Sequence, residues 1–139
     1  MQKENIIREK SFKFAVRMVN LYKTLSNERK EFVLSKQILR SGTSIGANVR
    51  EALNGESDAD FIHKFAIAQK ESDETCYWLE LLFATGYINE SEFNSLIDDA
   101  TELLKINRSI ILSSKNNPKP LNNSFLLRVK PAMTVQDDD

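Results

Sequence analysis

Histidine and cysteine, two residue types that often carry out chemistry, each occur once in this 139-residue chain. His63 follows Asp60 by three residues, which on a helix is the spacing of a carboxylate–histidine metal-binding pair. Di-metal sites in helix bundles need two such pairs and further carboxylates. Cys76 lacks an obvious base that would activate it as a nucleophile. We therefore predict no catalytic residue and no metal site, and we interpret His63 as a surface residue and Cys76 as a small core residue.

The sequence also shows no phosphate-binding loop, no possible internal disulfide and no membrane-spanning segment. The four glycines, at positions 42, 46, 55 and 86, do not form a phosphate-binding loop, and we predict no cofactor. A single cysteine cannot form an internal disulfide, which fits a reducing compartment. No apolar run approaches the roughly 18 residues of a membrane span, and the charged N-terminus has no signal core. We expect a cytoplasmic protein with no membrane contact.

The most informative segment covers residues 37–52, where a helical pattern carries a polar stripe beside an apolar one. The polar stripe consists of amides, hydroxyls and small residues rather than the Lys and Glu of a solvated surface. This composition predicts a hydrogen-bonded layer between helices or subunits. We assign to this layer seven residues: Gln37, Arg40, Ser41, Ser44, Asn48, Glu51 and Glu74.

Gly42 and Gly46 lie within the same helical pattern, where each costs roughly 1 kcal/mol relative to alanine. Two glycines four residues apart leave one face of the helix without side chains at those positions, which would let another helix backbone approach closely. A local kink, or simple tolerance of glycine, is the alternative interpretation.

Charge is divided along the chain. Residues 1–56 contain 11 basic and 6 acidic residues, whereas residues 57–117 contain 5 basic and 11 acidic residues. The basic half either contacts an anion such as RNA or meets the acidic half of another copy, and plain solvation is the third possibility. The candidate nucleic-acid contacts are Lys10, Lys13, Arg17, Lys36, Arg40 and Arg50. Aromatic residues do not alternate with these cations, so no platform for stacking single-stranded bases is indicated.

Apolar periodicity predicts four helices, at residues 3–25, 29–53, 57–85 and from about residue 89 to a stop before Pro118. Gly55 and Gly86 are suited to left-handed caps, while Ser57 and Asn89 have the spacing of capping boxes with Asp60 and Glu92. The first helix has a second apolar row beside its core row, namely Phe12, Ala15, Val19 and Tyr22, which is more than one bundle seam needs.

The short connections favour an all-α fold, an antiparallel up-down-up-down four-helix bundle at residues 1–117. Residues 118–139 contain three prolines, and we expect a disordered C-terminal tail. Within the tail, the apolar run from Phe125 to Val129 is an exception that suits docking into a groove.

Three groups of residues carry a family resemblance: Glu31, then the run Gln37, Ile38, Arg40, Ser41, Ser44, Ile45, Ala47, Asn48, Val49, Glu51 and Ala52, and finally Asp60, Phe61, Ala68, Ser72, Glu74, Thr75 and Trp78. Over about residues 10–115 the chain resembles the bacterial four-helix-bundle family of 23S rRNA intervening-sequence proteins, often labelled ribosomal proteins. That family is related to the accessory proteins of diversity-generating retroelements. Ala52 stands where the family often has glycine.

The resemblance implies a ring-like homo-oligomer, with a pentamer favoured, and neither enzymatic activity nor a cofactor. We expect a non-enzymatic binding or scaffold protein that associates with RNA or with the ribosome. The alternative is an accessory subunit for a reverse transcriptase or another protein partner, with no direct role in RNA binding.

Overall fold

The computed structural model describes residues 2–116, and these form four α-helices. The helices are α1 (Gln2–Asn27), α2 (Leu34–Leu53), α3 (Asp58–Ala84) and α4 (Glu90–Asn116). No strand occurs in this part of the chain, so the predicted all-α class is confirmed. The expected tail, residues 118–139, lies outside the described residues.

Side-chain contacts fix the antiparallel order of the helices. Between α1 and α4, Lys3 pairs with Ser109 and Lys10 with Glu102, so residue numbers rise along α1 as they fall along α4 and the two helices are antiparallel. Between α2 and α3, Arg40 pairs with Glu74 and Glu51 with Lys64 in the same descending sense. Between α1 and α2, Gly42 lies against Met18 and Gly46 against Ser11, so this pair is antiparallel as well. The helices therefore run up, down, up and down, as their short connections predict.

The core contains apolar side chains contributed by all four helices. Each helix presents one apolar row at three- and four-residue spacing, which forms a continuous stripe on one side. The largest completely buried side chains are Phe14, Phe61, Phe65, Ile7, Met18, Leu25, Ile38, Ile45, Leu79, Leu82, Leu103 and Val49. No helix within residues 2–116 combines the length and apolar character needed to cross a membrane.

The start of α2 differs from the prediction. The sequence pattern predicted a helix from residue 29, but α2 begins at Leu34 because Lys30 adopts a positive φ of 56° and interrupts the helical backbone. The buried Glu31 carboxylate then accepts hydrogen bonds from the backbone N–H groups of Val33, Leu34 and Ser35, at 3.1, 2.9 and 2.6 Å. Glu31 therefore caps α2 from outside the helix instead of lying within it.

The other predicted caps can be compared with the structure one by one. The Ser57 hydroxyl accepts from the Asp60 backbone N–H at 3.0 Å, and Asn89 and Glu92 form a reciprocal capping box with two 2.8 Å bonds. Gly86 has a φ of +83°, and the Tyr87 N–H bonds to the Leu82 carbonyl, as in a Schellman cap. The expectation for Gly55 was wrong, because its φ is not positive; instead, a Cβ there would collide with the Asp60 carboxylate.

Two glycines of α2 lie against α1. A Cβ at Gly42 would overlap the buried Met18 side chain, and a Cβ at Gly46 would lie 3.3 Å from the Ser11 backbone oxygen. The helix that approaches closely at this position is therefore α1 of the same bundle. Both glycines let α1 and α2 pack at short range.

Candidate interface and polar layer

Part of the predicted polar layer lies between α2 and α3. Ser41 and Thr75 are both completely buried, and their hydroxyl oxygens are 2.9 Å apart. The Thr75 hydroxyl also lies 2.8 Å from the Glu71 carbonyl oxygen. A hydrogen bond between these two buried hydroxyls therefore connects the helices and fixes the register of α2 against α3.

Arg40 continues this layer toward the surface. Its guanidinium forms ion pairs with Glu71, at 3.3 Å, and with Glu74, whose carboxylate also accepts from the Trp78 indole N–H at 3.0 Å. The indole hydrogen bond and the Arg40 guanidinium lower the pKa of Glu74 despite its partial burial, and Glu74 raises the pKa of Arg40. The cluster keeps one cation between two carboxylates at the edge of the helix pair.

The remaining stripe residues are not all brought together. Glu51 accepts from the Lys64 ammonium of α3 at 2.8 Å. Asn48 donates to the Ser44 carbonyl and Ser44 to the Ser41 carbonyl, so both of these bonds stay within α2. Gln37 is exposed. A role for Gln37, Ser44 and Asn48 in contacts between subunits stays a prediction.

Most of the candidate nucleic-acid contacts face carboxylates of the same chain. Lys10 pairs with Glu102 at 3.2 Å, Lys13 with Glu9 at 3.6 Å, and Arg17 with Asp99 at 2.7 Å. Lys36 and Arg50 differ, because residues 2–116 place no carboxylate within 4 Å of either cation. The Arg50 guanidinium instead lies 5.9 Å from the centre of the Phe12 ring. The six cations do not form one continuous basic surface.

An exposed apolar strip runs along the outer side of α1. Phe12, Val16 and Val19 are 57%, 46% and 39% exposed. We call these three residues the α1 strip. The second apolar row of the sequence pattern included Phe12 and Val19, but Val16 was missed because it lies at the outer edge of that row.

Beside the α1 strip lies an open groove of about 1000 Å³ between α1 and α2. We call it the α1–α2 groove. Phe12 and Ala15 line it from α1, and Thr43, Gly46 and Ala47 line it from α2. Its lower end, toward the α2–α3 connection, is lined by charged and polar residues: Arg8, Arg50, Glu51, Asn54, Glu56, Ser57, Asp60 and Lys64. Small side chains on α2 therefore give the groove its depth.

The two residues first considered for chemistry lie apart from the α1–α2 groove. His63 is exposed, and Cys76 is half-buried on α3 beside the core, where burial raises the pKa of its thiol. A thiol with a raised pKa is a poorer nucleophile at neutral pH. Within residues 2–116, no three His, Cys, Asp or Glu side chains are arranged to hold a metal ion.

Comparison with known proteins gives a family and a fold. The family model for the 23S rRNA-intervening sequence protein matches residues 3–109. A crystal structure of a protein with unknown function from the S23 ribosomal protein family of Bacteroides thetaiotaomicron is similar, with 60% sequence identity and a TM-score of 0.78. The similarity covers 78% of this chain and 97% of that chain. No curated protein matches.

The family match spans α1, α2, α3 and most of α4, and it includes the polar stripe, Glu31 and the Glu74–Trp78 pair. The chain therefore belongs to the family of 23S rRNA-intervening sequence proteins.

Proposed function

We propose that this protein is a non-enzymatic scaffold that forms a cyclic homo-oligomer, with the α1 strip at the centre of the contact between subunits. The single observation that carries this proposal is the exposure of Phe12, Val16 and Val19 in one row on a helix whose other side already fills the core. Apolar residues grouped in this way mark contact surfaces more often than residues scattered singly.

The size of the α1 strip sets what else the contact needs. Complete burial of a large apolar side chain contributes about 1.5–3 kcal/mol, so burying the exposed half of three residues contributes roughly 3 kcal/mol. A stable interface buries about 1,200–2,000 Å² in total, which is much more than these three residues supply. We therefore assign the α1 strip to the desolvated centre of a larger surface with a polar rim.

Charge supports a head-to-tail contact. Within the described residues, no carboxylate lies within 4 Å of the exposed cations Arg8, Lys23, Lys36 and Arg50 of α1 and α2. The exposed carboxylates of Asp73, Glu80 and Asp98, on α3 and α4, likewise lack a cation within that distance in residues 2–116. The opposite net charges of residues 1–56 and 57–117 favour a heterologous contact, which closes into a ring when the rotation between subunits permits. A pentamer is the ring that the family resemblance implies.

Light scattering and a single charged substitution test this proposal. The wild-type mass should be an integer multiple of the chain mass, and Val16→Asp should lower it toward one chain while the helical circular dichroism is unchanged. Leu112→Asp is the matched control, since Leu112 is 53% exposed on α4, away from the α1 strip. A monomeric wild type at micromolar concentration, or an oligomer unaffected by Val16→Asp, would refute the scaffold proposal.

Association with RNA is a second candidate, supported by Lys36 and Arg50, which have no intramolecular ion pair among residues 2–116, and by the name of the family. Phosphates would have to compete with carboxylates for Lys10, Arg17 and Arg40. Binding to a structured RNA should therefore be modest and should weaken with salt according to the few phosphates contacted. Lys36→Ala combined with Arg50→Ala should reduce that salt dependence, and Lys115→Ala is a control on α4. No binding at low salt would dismiss this candidate.

A third arrangement, an accessory subunit for a reverse transcriptase or another protein, would use the α1 strip for a different partner. A monomeric wild type that gains mass only when such a partner is added would favour it over the homo-oligomer. This outcome is read from the same scattering measurement.

A further inference from the structure

The side of the bundle formed by α3 and α4 carries an exposed aromatic residue that the core does not use. Tyr77 is 56% exposed on α3. Glu80 follows Tyr77 by three residues and precedes Phe83 by three, so it shares a side of α3 with both. Phe83 stacks on Phe93 of α4, with ring centres 4.7 Å apart, so this side borders α4. Because α1 and α3 each contact both α2 and α4, they occupy diagonally opposite corners of the bundle. Tyr77 and Glu80 therefore lie across the bundle from the α1 strip.

Tyr77 is level with the α1 strip along the bundle axis. The helices α3 and α4 are antiparallel, so the residues six positions from the stacked Phe83–Phe93 pair, Tyr77 and Asp99, have the same height. Asp99 pairs with Arg17 of α1 at 2.7 Å. Arg17 directly follows the central residue of the α1 strip, so the strip and Tyr77 differ in height by only about 2 Å.

Charges of opposite sign lie at equal height on the two sides. Ser41 of α2 contacts Thr75 of α3 at 2.9 Å, and Lys36 and Glu80 each lie five residues from that contact in antiparallel helices, so these two are level. Lys36 precedes the groove-lining Thr43 by seven residues, which places it on the α1–α2 side, whereas Glu80 lies on the α3–α4 side. Both are exposed, and neither forms an ion pair within residues 2–116.

Lys23 and Asp98 repeat this arrangement on α1 and α4. Lys23 follows Val19 by four residues and so continues the α1 strip. Asp98 precedes Thr101 by three residues, and Thr101 lies beside Cys76 of α3, so Asp98 belongs to the α3–α4 side. Both are exposed without an ion pair in the described part of the chain. Nearer the α2–α3 connection both sides carry charges of both signs, so selection of a partner surface depends on the half nearer the α1–α2 connection.

We infer that, in the proposed oligomer, the α1–α2 side of one subunit packs on the α3–α4 side of the next, with Tyr77 of the next subunit against Val16 and Val19. Lys36 then lies opposite Glu80 of that subunit. This inference rests on the proposed scaffold and names the surface that covers the α1 strip. Rotation about a ring axis that runs along the helices does not shift subunits along that axis, so residues at equal height meet.

Pairing of the α1 strip with itself is less favourable. Two antiparallel copies of α1 with Phe12 against Val19 would place Arg8 level with Lys23 of the other copy. Cations would then face each other at both ends of the contact, whereas the α3–α4 side presents carboxylates to Lys23 and Lys36. Charge therefore favours the α3–α4 side as the partner of the strip.

Disulfide trapping in the full chain tests this contact. In a Cys76→Ser background, Val16→Cys and Tyr77→Cys place one thiol on each side of the subunit, too far apart to bond within one chain. In a glutathione redox buffer, this variant should form covalently linked multimers on a non-reducing gel. Val16→Cys with Leu112→Cys is the matched control, because Leu112 is 53% exposed near the other end of α4. We expect at least about tenfold less linkage in the control, because the contact raises the effective concentration of the Tyr77→Cys thiol only. Linked dimers from Val16→Cys alone would indicate pairing of the strip with itself and would overturn the inference.

Exchange of charge gives a second readout. Lys36→Glu and Glu80→Lys should each raise the concentration at which the oligomer dissociates by about tenfold at low salt, because an attraction becomes a repulsion at every contact. The double variant should restore the wild-type value, whereas Glu80→Lys combined with Lys115→Glu, an exposed control on α4, should not. An oligomer that lacks the Val16–Tyr77 linkage, or that the double exchange does not restore, would overturn the inference and leave the scaffold standing. A monomeric wild type in light scattering would refute both.

Discussion

Replacement of Glu31 is the sharpest test of how this chain forms its second helix. Glu31 is 8% exposed, and its carboxylate accepts hydrogen bonds from three backbone N–H groups at the start of α2. The Ser35 hydroxyl donates to the Glu31 carbonyl oxygen at 2.8 Å, so the residue is held from both ends. We expect Glu31→Ala to leave those three N–H groups without a protein acceptor.

The magnitude follows from this count of bonds. Loss of an ordinary helix cap costs about 0.5–2 kcal/mol, and hydrogen bonds to charged groups contribute about 1.5–3 kcal/mol. Val33 is exposed, so water at its N–H group offsets part of the loss. We therefore expect Glu31→Ala to lower the free energy of unfolding by about 3 kcal/mol. Glu31→Gln keeps one acceptor oxygen and should cost about 1–2 kcal/mol.

The pH dependence gives an independent readout. Burial alone would raise the pKa of Glu31, but hydrogen bonds from the Leu34, Ser35 and Val33 backbone N–H groups together lower it. A carboxyl whose pKa is lower in the folded state stabilises the fold above its unfolded pKa of about 4.3. This stabilisation is lost as the pH falls through the folded pKa. The gap between wild type and Glu31→Gln should stay constant from pH 7 to about pH 5 and close below about pH 4.

Urea unfolding followed by far-ultraviolet circular dichroism measures these free energies at one fixed protein concentration, because assembly would add a concentration term. Glu28→Ala is the control, since Glu28 is exposed in the same connection. The capping argument fails if Glu31→Ala costs no more than Glu28→Ala. It also fails if the Glu31→Gln gap does not depend on pH.

Two further predictions concern the core. Asn107 is completely buried; its amide nitrogen donates to the Leu103 carbonyl, but its Oδ1 accepts no hydrogen bond within residues 2–116. Asn107→Leu removes this unsatisfied oxygen and should raise the free energy of unfolding by about 1–2 kcal/mol. Asn94→Leu, at an exposed position, is the neutral control in the same urea titration. Gly42→Ala should lower the free energy of unfolding by about 1–3 kcal/mol, because the added methyl group overlaps the buried Met18 side chain. This cost exceeds the gain in helix propensity from replacing glycine. Gly42→Ala with Met18→Ala should then be less destabilised than the sum of the single variants, and strict additivity would contradict the overlap.

The fold was predictable because its signals are local and repeated. Apolar residues at three- and four-residue spacing defined all four helices, and the Asn89–Glu92 and Ser57 caps follow from the types and spacing of neighbouring residues. The start of α2 was not predictable in this way. In the sequence, Glu31 fits a helical pattern as well as its neighbours do. Only the positive φ of Lys30, seen in the structure, places the Glu31 carboxylate outside the helix.

The candidate site was less predictable because it depends on pairs of helices. The polar stripe on α2 was visible in the sequence, but its partner Thr75 lies on α3 within an apolar seam, where a hydroxyl resembles any small core residue. Val16 was missed for a related reason. One apolar residue at the margin of a row does not change the helical pattern, and only packing shows that Val16 is exposed.

The arrangement of charges on α1 supports a contact between subunits over a contact with nucleic acid. Lys10 and Arg17 extend toward α4 and pair with Glu102 and Asp99, so their charge is already balanced within the bundle. The outward side of the same helix carries the α1 strip. Burying its apolar atoms against another protein surface is favourable, whereas bringing them close to phosphates is not. Nucleic acid would have to break two ion pairs to use Lys10 and Arg17. A second subunit can cover the α1 strip without breaking either of these ion pairs, and that lower cost is why assembly is the function we place first.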